Sequence, residues 1–304
     1  MARKMTPAQI RAALQKAQRD QKRAIDNYNR EVRKYNAAVK KAVNDYNREV
    51  RNYNSKARAR NREVGDQRRR LQQEIARLNS RSSSTSFVTY RASTRAFVET
   101  YDRAEAVLAS SPGSAADRRV LNLVSDEAAN SVYLANALDG DADPAGSFTE
   151  DELRAPSMQS ELTHFGEDLV NRWIGALYAM SPHNPDAARH FCTSAREVVT
   201  TILDASAPDA EVKRKDPDCQ LTDSGEVTRR SKIAYLLRRQ GVTAEGITEV
   251  VAGDVDNLLS LFRTFNEGTH GHAGRFSISE LSAIRTRVES AIRFIHTVVS
   301  VPAR

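Results

Sequence analysis

The chain has 304 residues, of which 40% are hydrophobic and 28% charged, with a formal net charge of +7. That composition fits a soluble protein with one sizeable core plus an extension. Its two cysteines, Cys192 and Cys219, make no ladder of paired spacings. No apolar leader opens the chain, and no run approaches the roughly 18 apolar residues of a membrane span, so the expectation is a cytoplasmic protein with reduced thiols.

The charge is sharply divided. Residues 1–81 hold 23 Lys/Arg against 8 Asp/Glu, a net +15, and the remainder carries −8. A basic arm on an acidic body implies a polyanionic partner such as RNA or another nucleic acid, docking of arm on body, or simply a well-solvated coiled coil.

Thr6 and Pro7 suit a helix start. Further along the arm, Tyr28-Asn-Arg-Glu-Val-Arg-Lys-Tyr-Asn36 recurs as Tyr46-Asn-Arg-Glu-Val-Arg-Asn-Tyr-Asn54, an offset of 18 residues. Five helical turns at 3.6 residues each bring both copies to the same face. Ile25, Tyr28, Val32, Tyr35, Val39, Val43, Tyr46, Val50, Tyr53 and Ala57 continue one seam at spacings of 3 and 4, with a four-residue stutter at Val39–Val43. This heptad stripe predicts a basic coiled-coil arm over 1–79, a helix on the order of 100 Å long that self-associates through the seam. After Ala57 the stripe weakens and then resumes at Val64, Leu71, Ile75 and Leu78.

A Ser-rich linker over 80–86 follows, with a helical connecting region at 87–155 and a helical domain at 156–304. Helices are predicted over Phe87–Ala109, Ala115–Leu138, Pro156–Met180, Pro185–Ala205, Thr228–Arg239, Thr243–Phe265 and Ser277–Val301. Ala207–Val227 is expected to be a long loop. Ser277 and Glu280 read as a capping box. No alternating strand pattern of useful length is present, so the fold class is all-α. Asp139–Pro144 lacks the glycine and final glutamate of a calcium loop.

Glycine-rich phosphate loops, a Gly-x-Ser-x-Gly elbow, Cys-x-x-Cys and His-Glu-x-x-His are all absent. The densest polar stretch is Phe262–His272, between two apolar helices. Arg263 is a permanent cation with a planar fork for phosphate, and His270 can move a proton from a ribose 2′-hydroxyl. They form an Arg-x6-His pair with Asn266 between them, and no metal or other cofactor is called for. The plainer alternative pairs Arg263 with Glu267, one turn away. Arg189 and Arg196, seven residues apart on one helix face, are candidate substrate-binding residues together with His272. Two rivals rank lower. One is a metal site from His270, His272, Glu267, His183 or His190. The other is a Glu211-x-Lys213 tail, whose chemistry needs adjacent strands.

The position of Arg-x6-His just before the final long helix resembles the HEPN ribonuclease superfamily. Separately, Arg172-Trp173-Ile-Gly-Ala-Leu, Asn184-Pro-Asp-Ala-Ala-Arg189-His190, Ser194-Ala-Arg196-Glu197, Ala207-Pro208-Asp209 and Thr228-Arg229-Arg230 resemble the predicted nuclease domains found beside prokaryotic PIWI proteins in defence loci. The two similarities cover roughly residues 165–300. The HEPN likeness implies a dimeric RNase that attacks through the 2′-hydroxyl, leaves a cyclic phosphate, and uses Arg263 and His270 as its pair. One departure stands out: a polar residue often follows the Arg directly, and here Thr264 is next, with Asn266 two positions further on. The expected activity is therefore metal-independent RNA cleavage in a prokaryotic defence system, by a homo-oligomer with a possible defence-system partner protein. The alternative is a non-catalytic coiled-coil scaffold that binds nucleic acid or such a partner.

Overall fold

In a computed structural model the residues described are 6–80, 87–111, 113–140, 147–266 and 276–300. They form eleven helices and a single isolated bridge between Leu221 and Val227, so the all-α expectation holds. Two compact units divide the chain, Met1–Glu63 and Val64–Arg304.

The first unit is helix alone. A stripe only two positions wide leaves most of a helix surface polar, and α1 (Pro7–Ser80) therefore runs without a break through the whole heptad region. The Thr6 hydroxyl accepts from the Gln9 amide at 3.4 Å while Gln9 reaches back to the Thr6 amide at 2.9 Å, closing its first turn. Every large seam residue is exposed, from 37% at Val32 and Val50 to 74% at Tyr53. Among the described residues nothing covers that seam.

From Val64 onward the same helix belongs to the second unit. Leu71 and Leu78 are buried, and so is Glu74, whose carboxylate takes the Asn136 side-chain amide at 2.8 Å. Gln67 donates to Asp126 at 3.0 Å and Arg70 to Asn130 at 3.2 Å. Helix α2 (Val88–Ser110) begins where Arg91, 2% exposed, caps the end of α1 by donating to the Leu78 carbonyl at 3.0 Å and pairing with Asp139. Helix α3 (Ala115–Leu138) opens on Ser114 and Asp117, which cap one another.

Short pieces follow: α4 (Glu150–Arg154), α5 (Gln159–Thr163) and α6 (Glu167–Tyr178). The continuous helix predicted over Pro156–Met180 is thus broken. Met158 sits at φ 63° and Gly166 at φ 115°, left-handed values that end a helix, and no proline marks the break at Gly166. Helix α7 (Ala187–Ser206) runs as expected, but the predicted loop Ala207–Val227 contains α8 (Asp209–Lys215). Acids Asp209 and Glu211 in its first turn and Lys213–Lys215 in its last complement the helix dipole, which supports a helix of only seven residues. The chain closes with α9 (Arg229–Arg239), α10 (Glu245–Asn266) and α11 (Ile278–Ser300). Ser277 and Glu280 make the predicted capping box, with amide contacts of 2.7 and 3.2 Å.

Helix α10 is the centre of the body, packed on α2, α3, α7 and α9, with α11 against α3 and α7. Inside this assembly Arg287 of α11 is fully buried. It donates to Glu127 of α3 at 2.8 Å and to Asp254 of α10 at 2.5 Å. Ser290 contacts the other Glu127 oxygen and accepts from Asn130 at 2.9 Å, while Asn257 donates to Thr94 of α2 at 3.0 Å. Burial, reinforced by the Asp254 charge and only partly offset by Arg287, pushes the Glu127 carboxyl up to about 8. Burial also raises Asp254 above the usual carboxylate range.

Removing the cation from such a cluster strands two buried acids. Arg287→Ala is expected to cost about 3–5 kcal/mol in urea denaturation, and a midpoint equal to wild type would contradict this account of the core.

Candidate nucleic-acid interface

Arg263 is the only cation in the last turn of α10. Its side chain is exposed, its Nε donates to the Leu259 carbonyl at 3.4 Å, and no described carboxylate pairs with it. Cations suit a helix C-terminus, so the position costs the helix nothing. Beside it Phe262 is fully buried and Phe265 nearly so. Phe265 meets Phe276, just before α11, edge to face at 5.4 Å, and Phe87 lies tilted against both at 6.1 and 6.5 Å. These three rings fix where the chain leaves α10 and where it enters α11. Asn266 is the last residue of α10. Glu267, His270 and His272 lie outside the described residues.

The other candidates stand on α7 and are held locally. Arg189 pairs with Asp186, which also lies 3.3 Å from the His190 imidazole. Arg196 pairs with its chain neighbour Glu197 at 3.1 Å. Arg189, Arg196 and Arg263 all lie in the second unit, and neither α7 arginine makes a polar contact with Arg263 among the described residues.

The Glu-x-Lys stretch lies on a helix, not on a loop or strand. Asp209 accepts from the Val227 amide at 2.7 Å and pairs with Lys232 at 2.8 Å. Glu211 takes the Tyr235 hydroxyl at 3.1 Å, and Lys213 donates to the Gly225 carbonyl at 2.9 Å. Lys232, nearly buried, also reaches Asp204 at 2.6 Å. Burial lowers its proton affinity, yet the hydrogen bonds it donates to Asp204 and Asp209 outweigh that and hold it above the usual lysine range. These acids and Lys232 clamp α7, α8 and α9 together. His183 lies 3.7 Å from Glu150. Among the described residues no three His, Cys, Asp or Glu side chains gather as metal ligands would.

What the residue patterns did not single out is α9 as a whole. Its eleven residues carry Arg229, Arg230, Lys232, Arg238 and Arg239 and no acid, within an otherwise acidic body. The signal was present in plain sequence. It was masked because Arg229 and Arg230 read only as part of a family resemblance.

Exposed ion pairs between neighbours contribute little. Arg189→Ala and Arg196→Ala are each expected to shift stability by less than about 0.5 kcal/mol in thermal melts. A larger loss would mean they brace the fold, and would remove them from the candidate interface.

No curated protein and no solved structure matches the chain. No helix among the described residues is long and apolar enough to cross a membrane. Residues 162–295, from the end of α5 into α11, match the model of a family described as predicted pPIWI-associating nuclease, and that nuclease family is the one this part of the chain resembles.

Proposed function

We propose that the protein is a metal-independent endoribonuclease of a prokaryotic defence system, acting in the cytoplasm with Arg263 and His270 at one phosphodiester. The observation that carries this reading is the exposed Arg263 guanidinium at the end of α10, unpaired by any described carboxylate, in a segment that matches a nuclease family. His270 is four residues beyond Asn266, and four residues of chain span at most about 14 Å, so covalent geometry permits imidazole and guanidinium to share a phosphate.

The chemistry is confined to RNA, because the nucleophile is the ribose 2′-hydroxyl. His270 takes the 2′-proton as the 2′-oxygen bonds to phosphorus. The bond from phosphorus to the 5′-oxygen breaks, and the departing oxygen takes up a proton from solvent water, leaving a cyclic phosphate. Arg263 offsets the charge that grows on the non-bridging oxygens, and Asn266 supplies a neutral hydrogen bond to the same group. Arg189, Arg196 and His272 are assigned to strand binding. Expected results are cleavage of RNA in excess EDTA, none of DNA, and a loss of about 100-fold or more in both Arg263→Ala and His270→Ala with helicity unchanged. Unaltered cleavage in either variant would sink the catalytic pair. Complete inactivity of the wild type on RNA would leave the scaffold reading, which the basic faces of α1 favour.

The working unit is a homo-oligomer joined by the arm. Ile25, Val32, Val39, Val43 and Val50 alternate with Tyr28, Tyr35, Tyr46 and Tyr53 along one exposed face, and apolar surface in a heptad register is buried by a second helix of the same kind. Sedimentation is expected to give twice the monomer mass for the wild type and the monomer mass for the Val32→Asp, Val50→Asp double variant. Wild type sedimenting as a monomer at tens of micromolar concentration would exclude this assembly.

A further inference from the structure

Well away from Arg263, a cleft of about 330 Å³ opens between α9 and the start of α10. Arg230 and Arg238 stand on one wall with Ala234 between them, and Thr243 and Thr248 face them. Residues 230, 234 and 238 recur every four positions, so they share one helix face, and the small alanine leaves the gap. Arg230 is exposed and has no described carboxylate partner. Arg238 is already positioned: its Nε donates to the Ala234 carbonyl at 3.3 Å and its Nη2 meets Asp216 at 2.6 Å. That contact neutralises Asp216, the one acid among the described lining residues, and those residues keep a net positive charge.

A second observation points the same way. Arg229 and Arg230 occupy the first turn of α9, where there is no acid. The helix dipole is positive at that end, so cations there work against the helix and acids would favour it. Thr228 takes up only the Ser231 amide, at 3.3 Å, of the free amides of this turn. Two sources of positive potential, dipole and guanidinium, therefore add at one place, and an anion relieves both. The opposite wall is rigid as well. The Asp117 carboxylate accepts from the Thr243 and Ala244 amides at 2.9 and 3.1 Å, fixing the start of α10. Burial alone would raise the Asp117 carboxyl, but these amides and Ser114 hold it below the usual carboxylate range.

Among the described residues no aromatic side chain lines the cleft, so they offer no platform for stacking bases. Arginine forks and hydroxyls suit phosphate oxygens, which carry no sequence information. We infer that this cleft is a subsite for backbone phosphates of a nucleic-acid strand, lying along α10 from Arg263. The choice of polyanion rests on the nuclease reading. Thr248 and Arg263 are fifteen residues apart on one helix, about 22 Å, and a stacked strand advances about 3.4 Å per phosphate. A strand reaching from one place to the other therefore covers about six or seven nucleotides and passes the exposed Glu249 and Asp256 of α10.

The test uses the full-length protein and an RNA of about twelve nucleotides carrying 4-thiouridine, with photo-cross-linked peptides mapped by mass spectrometry. Cross-links are expected within residues 216–248. Arg230→Glu and Ala234→Glu are expected to lower that yield about tenfold, while Arg230→Lys retains it. Circular dichroism of each variant identical to wild type establishes that the fold is kept. Cross-links confined to the arm, or unchanged yields in both glutamate variants, would overturn the subsite. So would polyglutamate competing as well as RNA of equal length, since the partner would then be an acidic protein segment. Cross-linking in 216–248 without any cleavage by the wild type would refute the catalytic proposal and still support this one.

Discussion

A guanidinium with no access to water must find anionic partners, and Arg287 finds two of them on helices far apart in sequence. Glu127 on α3 and Asp254 on α10 converge on it, and Ser290, Asn130, Asn257 and Thr94 satisfy the oxygens and amides that remain. Two acids facing one cation would leave an excess negative charge in the core. Burial raises the proton affinity of Glu127 and of Asp254, which lessens that excess. Burying such groups contributes little net stability compared with an apolar core, and its value lies in register. A helix that slips or rotates by one residue breaks several hydrogen bonds at once.

That register positions the candidate sites at both ends of α10. Asp254 and Asn257 lie midway along α10, so pinning them fixes both ends of the helix. At one end Arg263 is exposed beside the ring cluster of Phe87, Phe265 and Phe276, and at the other Thr248 forms the wall of the cationic cleft. Asp117 adds a second anchor by capping α3 and holding the start of α10 with the same carboxylate. The polar groups of interest stand on the ends of a helix whose centre cannot move. Preorganisation of this kind is what phosphate recognition needs.

Period and capping made much of this architecture legible. The heptad seam gave α1, and Ser277 with Glu280 gave the start of α11, because both features act between residues three or four apart. Long-range features were hidden. Arg287, Glu127 and Asp254 look like ordinary charged positions on helix surfaces, and nothing local says that three of them meet in the core. Breaks made by backbone conformation were equally invisible: Met158 and Gly166 interrupt a stretch whose apolar period continues through them. In the candidate site, Arg263 at a helix end followed from pattern alone. Arg189 and Arg196 were singled out by spacing, which cannot reveal that Asp186 and Glu197 already hold them.

The division of charge also needs a finer scale than net totals. A body with more acid than base would repel a polyanion if its charge acted as a whole, but at physiological ionic strength charges beyond about 8 Å are largely screened. What a phosphate meets is then the local surface. On α9 that surface holds five cations in eleven residues, and Asp204, Asp209 and Asp216 beside it are bound to Lys232 and Arg238. Arg229 and Arg230 keep their charge uncompensated at the positive end of the helix. A body with more acid than base can therefore present a locally cationic face where some of its acids are held in internal clamps.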